Sequence, residues 1–111
     1  MLGFKEENNK YIIDFGDVQN YNDIQTAIAK AFDFPEWYGC NWDALWDMLT
    51  DMAGDLIHIE ISSYDVLNRL YKSEAETLMS ILKEFKHYSN NKYLSKIKIE
   101  ITSENERIEI M

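Results

Sequence analysis

Three tryptophans, the only cysteine and the only proline of this chain all fall within residues 34–47, FPEWYGCNWDALWD. The same stretch carries carboxylates at Glu36, Asp43 and Asp47 and contains no lysine or arginine. Carboxylates one helical turn apart can act as a general acid and base, or they can bind a cationic partner. Two kinds of chemistry are therefore open to this segment: acid-assisted hydrolysis, and recognition of a positively charged molecule.

Acidic residues also dominate the chain around this segment. No lysine or arginine occurs between Lys30 and Arg69. Where a helix continues, aspartates at every fourth position stack like charges on one face, and each pair costs roughly 0.2–0.5 kcal/mol. An ordinary solvated face mixes both signs of charge, so the pattern favours a surface that binds a cationic partner. The acids between the two bases are Asp33, Glu36, Asp43, Asp47, Asp51, Asp55, Glu60 and Asp65.

The three tryptophans have different expected roles. Trp42 shares a helical stripe with Leu45 and Leu49 and is predicted to face the core. Trp46 stands between Leu45 and an aspartate, at the border of the apolar and acidic faces, and Trp37 lies in a loop. Aromatic side chains ringed by charge are typical of a protein-binding hot spot. The residues thus predict an acidic binding face, with a hydrolase and a plain helical surface as the alternatives.

Other catalytic arrangements have little support in the sequence. His58 lies in a predicted strand and His87 on a polar helix face, and neither has a nucleophile beside it. A Cys40–His58 dyad stays open, although an acidic neighbourhood disfavours the thiolate on which it depends. Zinc spacings, a P-loop, a dinucleotide fingerprint and a calcium loop are all missing. We therefore expect no cofactor, no metal and no enzymatic activity.

Size and charge limit the remaining function classes. A chain of 111 residues fits one domain, 1–111, that buries roughly two thirds of its unfolded surface. Its net charge of -9 opposes direct binding to nucleic acid or an anionic membrane and favours encounter with cationic partners. A lone cysteine suits a reducing compartment, and no apolar run approaches membrane-spanning length. We expect a cytoplasmic protein that is a monomer when free.

The first half of the chain reads as a strand followed by two helices. Residues 11–15 form a short β-branched and aromatic run that predicts a strand. Apolar residues at helical spacing then predict a helix capped by Asn22, with Pro35 just beyond its end. Asn41 is the expected N-cap of a second helix that Gly54 stops.

The second half repeats this order. The alternation in residues 56–61 predicts a strand with its isoleucines on one side. Ser62 or Ser63 then caps a third helix, whose apolar stripe is expected to reach Leu70 and Tyr71.

A capping box, from Ser73 to Glu76, is expected to begin a fourth helix with its apolar stripe at Leu78, Ile81, Leu82 and Phe85. Alternating segments at 96–102 and 107–110 predict a final strand and a short hairpin partner. Strands separated by helices predict an α/β fold with a parallel sheet and one antiparallel addition.

A family resemblance is carried by residues 34–51, FPEWYGCNWDALWDMLTD. They resemble the signature of the barstar family, inhibitors of barnase-like secreted microbial ribonucleases: Pro-Glu, two aromatics and Gly, then Asn and a helix reading Asp-Ala-Leu-Trp-Asp. The predicted element order from about residue 10 to residue 102 is similar as well. The resemblance implies a small parallel three-stranded sheet packed with four helices. It also implies a protein that holds a basic ribonuclease inactive in the cytoplasm, in an immunity or antitoxin role.

The same resemblance implies which residues bind the partner. In the family, the aspartate after the tryptophan of the second helix enters the phosphate site of the ribonuclease, and Asp47 matches it. Asp43 matches a second carboxylate that faces the enzyme's basic rim, and Glu84 matches a glutamate of the last long helix. The implied partner-binding residues are Trp37, Gly39, Asn41, Trp42, Asp43, Trp46, Asp47 and Glu84.

Departures from the family pattern leave the partner's identity open. Trp37 stands where a tyrosine is usual, Cys40 where an acid is common, and residues 103–111 extend past the usual end. An immunity protein for another cationic toxin would keep the acidic face and ignore barnase-like enzymes. An acidic mimic of nucleic acid would instead sequester a DNA-binding protein.

Because no nucleophile, base and orienting group come together in the sequence, we expect the isolated chain to hydrolyse neither RNA nor esters and to fold without metal. Turnover assays with and without a chelator, and unfolding curves under both conditions, measure this. Robust turnover that Asp43→Asn abolishes would favour the hydrolase instead.

Overall fold

The computed structural model describes residues 10–36, 38–52, 57–93, 97–103 and 106–110. The elements follow one another as predicted, so the expected order of strands and helices is confirmed. They are β1 (Lys10–Asp14), α1 (Tyr21–Phe32), α2 (Trp42–Asp51), β2 (Ile57–Ser62), α3 (Tyr64–Leu70), α4 (Lys72–Tyr93), β3 (Ile97–Ser103) and β4 (Glu106–Glu109).

The sheet has the strand order β1-β2-β3-β4, and its first three strands are parallel. β4 pairs antiparallel with β3, which confirms the predicted α/β architecture and its added strand. Side chains alternate between the two faces of a strand, so Ile13, Ile59 and Ile99 all point into the core and are fully buried. α1 packs on β1, while α3 and α4 pack on β3 and on each other, and α2 packs on α4.

Two predicted helix starts are wrong. α1 is capped by Asn20, whose Oδ1 accepts a hydrogen bond from the Asp23 amide at 3.0 Å, and Asn22 lies inside the helix. An asparagine two residues earlier can satisfy the free amides of the first turn equally well, so periodicity alone does not separate the two. At the other end, α1 stops at Phe32, three residues before Pro35, as expected.

α4 begins at Lys72, so Ser73 lies inside it and the predicted capping box is wrong. α3 and α4 almost run together there, because the Ala75 amide donates to the carbonyl of Tyr71 at 2.9 Å. α3 does follow Ser63 as predicted, although the serine side chain makes no capping hydrogen bond. The apolar stripe of α3 is shorter than predicted, because the helix has only seven residues and Leu70, at its end, is 49% exposed. Among the helices of the described ranges, none has the length and apolar character needed to cross a membrane.

The outer face of the sheet carries a network of ion pairs around two glutamates. Glu100 is buried, with its Oε1 2.6 Å from His58 Nε2 and 2.9 Å from Arg107 Nη1. Glu60 lies 3.4 Å from both Lys10 and Arg107. Burial by itself raises the pKa of the Glu100 carboxyl, but the His58 hydrogen bond and the nearby cations outweigh burial and hold this pKa below its usual value.

This lowered pKa predicts a pH-dependent contribution to stability. A carboxyl whose pKa is lower in the folded state stabilises the fold above its unfolded value, about 4.3, and loses that contribution as the pH falls through the folded value. We expect Glu100→Gln to cost roughly 1–3 kcal/mol at neutral pH, because His58 and Arg107 lose a charged acceptor. The variant should also show a weaker fall in stability below about pH 4.5.

Urea unfolding between pH 7 and pH 3 measures both effects. Glu106→Gln is the control, because Glu106 is exposed on β4 and takes part in none of these ion pairs. Identical pH dependence in the wild type and Glu100→Gln would contradict the assigned role of Glu100.

Candidate functional site

The side chain of Asn41 joins the loop before α2 to the start of that helix through two hydrogen bonds. Asn41 Oδ1 accepts a hydrogen bond from the Ala44 amide at 2.8 Å, and its Nδ2 donates to the Gly39 carbonyl at 3.2 Å. The predicted N-cap is therefore confirmed. Cys40 adopts a left-handed backbone conformation, with a φ of 53°, at the entry to the helix. A Cβ on Gly39 would lie 3.3 Å from the side-chain Nδ2 of Asn41, so a larger residue would require this side chain to shift by a few tenths of an ångström.

α2 has two opposite faces. Leu45 and Leu49 are buried, whereas Asp43, Asp47 and Asp51 are exposed. At about 100° per residue, Asp47 lies roughly 160° from both leucines around the helix axis. Burying the leucines against the core therefore directs the aspartates into solvent. We call Asp43, Asp47 and Asp51 the acidic face.

The acidic face is not neutralised by any ion pair with a described base. Within the described residues, none of its three carboxylates forms an ion pair, and the last turn of α2 contains no base. The ion pairs among the described residues all join side chains on the outer face of the sheet. Asp43 gains from its place in the first turn of the helix, where a negative charge is favourable. Asp47 and Asp51 have no such compensation.

The two tryptophans of α2 contact α4. Trp42 is half-buried and packs against the core as predicted, and its indole Nε1 also donates to Glu74 Oε1 at 2.9 Å. Trp46 is also half-buried, which confirms its predicted place at the border of the two faces. Its ring meets that of Tyr88 edge-on, with centroids 5.8 Å apart and planes at 64°. Both rings therefore help to hold α2 on α4.

A buried tyrosine fixes the loop from the other side. Tyr38 is 6% exposed, and its hydroxyl donates to Gln25 Oε1 of α1 at 2.8 Å. Its ring packs on Phe34, which stacks on Phe32. Burial, with smaller contributions from Cys40 and Tyr21, raises the pKa of Tyr38 to about 12, so the hydroxyl remains a donor at physiological pH. The sequence does not predict the hydrogen bond between Tyr38 and Gln25. The two adjacent aromatic residues before Gly39 were the sequence feature that could have indicated a buried anchor in this loop.

The structure brings most of the predicted binding residues to one side of the molecule. Gly39 and Asn41 adjoin the start of α2, where Trp42 begins the helix. Glu84 is exposed on α4, one turn before Tyr88, and so it lies beside the Trp46 contact. Trp37 is outside the described residues.

The geometry supports neither a Cys40–His58 dyad nor an acid-using hydrolase. His58 Nε2 is engaged by Glu100 on the outer sheet, and no hydrogen bond joins His58 to Cys40, which is exposed in the loop before α2. Among the described residues, no group of three or more His, Cys, Asp or Glu side chains could hold a metal ion. A groove of about 510 Å³ does run between β1 and α1, but none of its lining residues belongs to α2. This groove is therefore separate from the acidic face.

Residues 9–101 match the family model described as Barstar (barnase inhibitor). The chain belongs to the barstar family. It is also similar to a Bacillus subtilis (strain 168) protein named "Putative ribonuclease inhibitor YrdF", with 31% identity over 75 residues. That match spans 68% of this chain and 82% of the relative. A ribonuclease inhibitor with a protein partner is therefore the function that membership implies.

The residues that match the barstar family include most of the fold but not all of it. The match ends at residue 101, within β3, so β4 lies beyond the part that defines the family. The loop, α2 and Glu84 all lie within the match. The acidic face therefore belongs to the family portion of the chain, and the ion pairs of Arg107 belong to its extension.

The two faces of α2 predict opposite effects of substitution on stability. Asp47→Ala should leave the free energy of unfolding unchanged or raise it by a few tenths of a kcal/mol, since it removes like-charge repulsion. Asp43→Ala should lose the favourable first-turn charge, about 0.3–1 kcal/mol. Leu45→Ala should cost roughly 2–5 kcal/mol, because Leu45 is 1% exposed.

Urea unfolding of the three variants at one pH measures these effects. If Asp47→Ala proves as destabilising as Leu45→Ala, then Asp47 is a structural residue and the division of α2 into two faces is wrong.

Proposed function

We propose that this protein inhibits a basic, barnase-like ribonuclease by placing the acidic face and the preceding loop against the enzyme's active site. The observation that carries the proposal is a helix with one side buried and with Asp43 and Asp47 exposed on the other, neither of them in an ion pair with a described base. Asp47 gives the free protein no stability, whereas both charges raise the encounter rate and the specificity towards a cationic partner.

The chemistry of a ribonuclease active site suits this surface. The enzyme must hold phosphates with cationic side chains, so carboxylates can occupy the same positions through charge-assisted hydrogen bonds. In the proposed complex Asp47 enters the phosphate site and Asp43 faces the basic rim. Glu84 adds a third carboxylate from α4.

The loop and the start of α2 supply the uncharged part of the proposed interface. Trp37, Gly39 and Asn41 lie beside the carboxylates in sequence, and the exposed edges of Trp42 and Trp46 border them. Large aromatic side chains beside desolvated charge are the usual anchors of tight protein interfaces. The hydrogen bonds of Asn41 hold this surface in one shape before binding, which lowers the ordering cost of association.

In this proposal the protein acts as a monomeric immunity protein in the cytoplasm of the cell that makes the ribonuclease. A free, exposed Cys40 is compatible with a reducing compartment. The isolated chain has no catalytic role, and its effect is measured as lost ribonuclease activity.

Inhibition of barnase by the wild type and by Asp47→Ala tests the proposal. Asp47→Ala leaves the enzyme's cationic groups unpaired in the complex, so its affinity should fall more than that of any other single substitution on α2. The barnase–barstar pair is itself a standard example of such a charge hot spot, so we predict the direction and rank of the effect and not its size.

Stopped-flow association at low and high ionic strength completes the test. Wild-type association should exceed the 10⁵–10⁷ M⁻¹s⁻¹ that is roughly typical of uncharged surfaces, and it should slow as salt screens the charges. Asp51→Ala serves as a matched control that removes the same charge at the far end of the face. An association rate independent of salt, or equal affinity of Asp47→Ala and the wild type, would contradict the proposal. Inhibition of a different cationic toxin, but not of barnase, would identify the other kind of immunity protein.

A further inference from the structure

α4 makes two contacts with α2 that lie next to the acidic face but are not part of it. Glu74 accepts the indole hydrogen of Trp42, and Tyr88 packs edge-on against Trp46. We propose that Glu74 is a positioning residue for the inhibitor: through Trp42, and together with the Tyr88 contact, it sets the rotation of α2 and hence the directions of Asp43 and Asp47. This inference rests on the proposed function and adds a determinant outside the interface.

The spacing of the two contacts makes them a two-point attachment. Trp42 and Trp46 are one turn apart in α2, about 6 Å along its axis. Glu74 and Tyr88 are fourteen residues apart in α4, about 21 Å along its axis. The four side chains must therefore span the remaining distance along α4. Two contacts at positions so far apart in α4 resist rotation of α2 better than a single contact does.

Packing against the core decides which side of α2 faces inwards, but it does not by itself set the exact rotation of the helix. Leu45 and Leu49 are the buried residues of α2, its other core contacts are only partly buried, and apolar burial is not directional. With side chains reaching about 6 Å from the helix axis, a rotation of about 20° moves a carboxylate by about 2 Å. Hydrogen bonds to a cationic site tolerate only a fraction of that displacement. A directional bond at the edge of α2 therefore affects how well Asp43 and Asp47 reach their targets.

Glu74 is well suited to hold the indole. Its charged carboxylate makes a stronger acceptor than a neutral group. It lies in the first turn of α4, where a negative charge is favourable without a basic partner. Glutamine keeps an acceptor oxygen at the same place, whereas alanine has none. Comparing Glu74→Gln with Glu74→Ala thus separates the loss of the charge from the loss of the hydrogen bond.

The test measures dissociation of barnase complexes of the wild type, Glu74→Ala, Glu74→Gln and Glu76→Ala. Glu76 is the matched control, because it is exposed two residues along the same helix and does not accept the Trp42 hydrogen. Both alanine variants lose one charge, so their association should slow to a similar extent. The Glu74→Ala complex should also dissociate roughly two- to tenfold faster. Without the hydrogen bond from Glu74, Trp42 and α2 are less ordered in the free protein and must be ordered on binding. Glu74→Gln should recover most of this loss.

NMR of the free protein separates the positioning role from the proposed function. The indole N–H of Trp42, assigned through Trp42→Phe, should exchange slowly in the wild type and in Glu74→Gln and faster in Glu74→Ala. The backbone amides of Asp43 and Asp47 should shift in Glu74→Ala alone. If Glu74→Ala dissociates at the rate of Glu76→Ala, or if neither the exchange nor the shifts change, Glu74 does not position α2. If the wild type fails to bind barnase, the proposed function fails for that enzyme, while the NMR result still decides the role of Glu74.

Discussion

Burial of Leu45 and Leu49 against the core is the interaction on which the candidate site depends. These two leucines decide which side of α2 faces inwards, and the helical repeat then directs Asp43, Asp47 and Asp51 outwards. Asn41 defines where the helix starts, and Gly39 leaves room for the Asn41 side chain. The loop and the acidic face are thus placed by a small number of local contacts and one patch of core.

The charges of the molecule are distributed unequally. Three bases of the outer sheet face, Lys10, Lys98 and Arg107, are committed to Glu60 and Glu100. None of these bases pairs with the aspartates of α2. The ion pairs therefore neutralise a part of the surface with no proposed role in binding, while the aspartates of the acidic face form no ion pair with a described base. Such an arrangement favours rapid encounter with a cationic partner at some cost in helix stability.

That cost is offset by contacts made outside the acidic face. The Asn41 cap, the Trp42–Glu74 hydrogen bond and the Trp46–Tyr88 contact all stabilise α2 without covering an aspartate. Tyr38 anchors the loop to α1 in the same way. The elements that hold the site are therefore separate from the residues that would bind, which allows a substitution at Asp47 to affect binding and stability independently.

The sequence by itself determined the order of the elements, the parallel sheet with its added strand, the Asn41 cap and the two faces of α2. Each of these depends on residues a few positions apart: alternation in strands, helical spacing, or a side chain that bonds to an amide three residues ahead. Barstar-family membership was also readable locally, because its signature is one continuous segment. Asn20 rather than Asn22 at the start of α1, and Lys72 rather than Ser73 at the start of α4, show that local signals leave helix ends uncertain by one or two residues.

Only the tertiary structure decided what the aromatic and buried polar residues contact. Tyr38 and Gln25 are 13 positions apart, Trp42 and Glu74 are 32, and His58 and Glu100 are 42. No periodicity in a single element links such pairs, because their distance depends on how whole helices and strands pack. For the same reason the helical spacing of Trp42 correctly predicted its packing against the core, whereas only the position of α4 brings Glu74 to its indole.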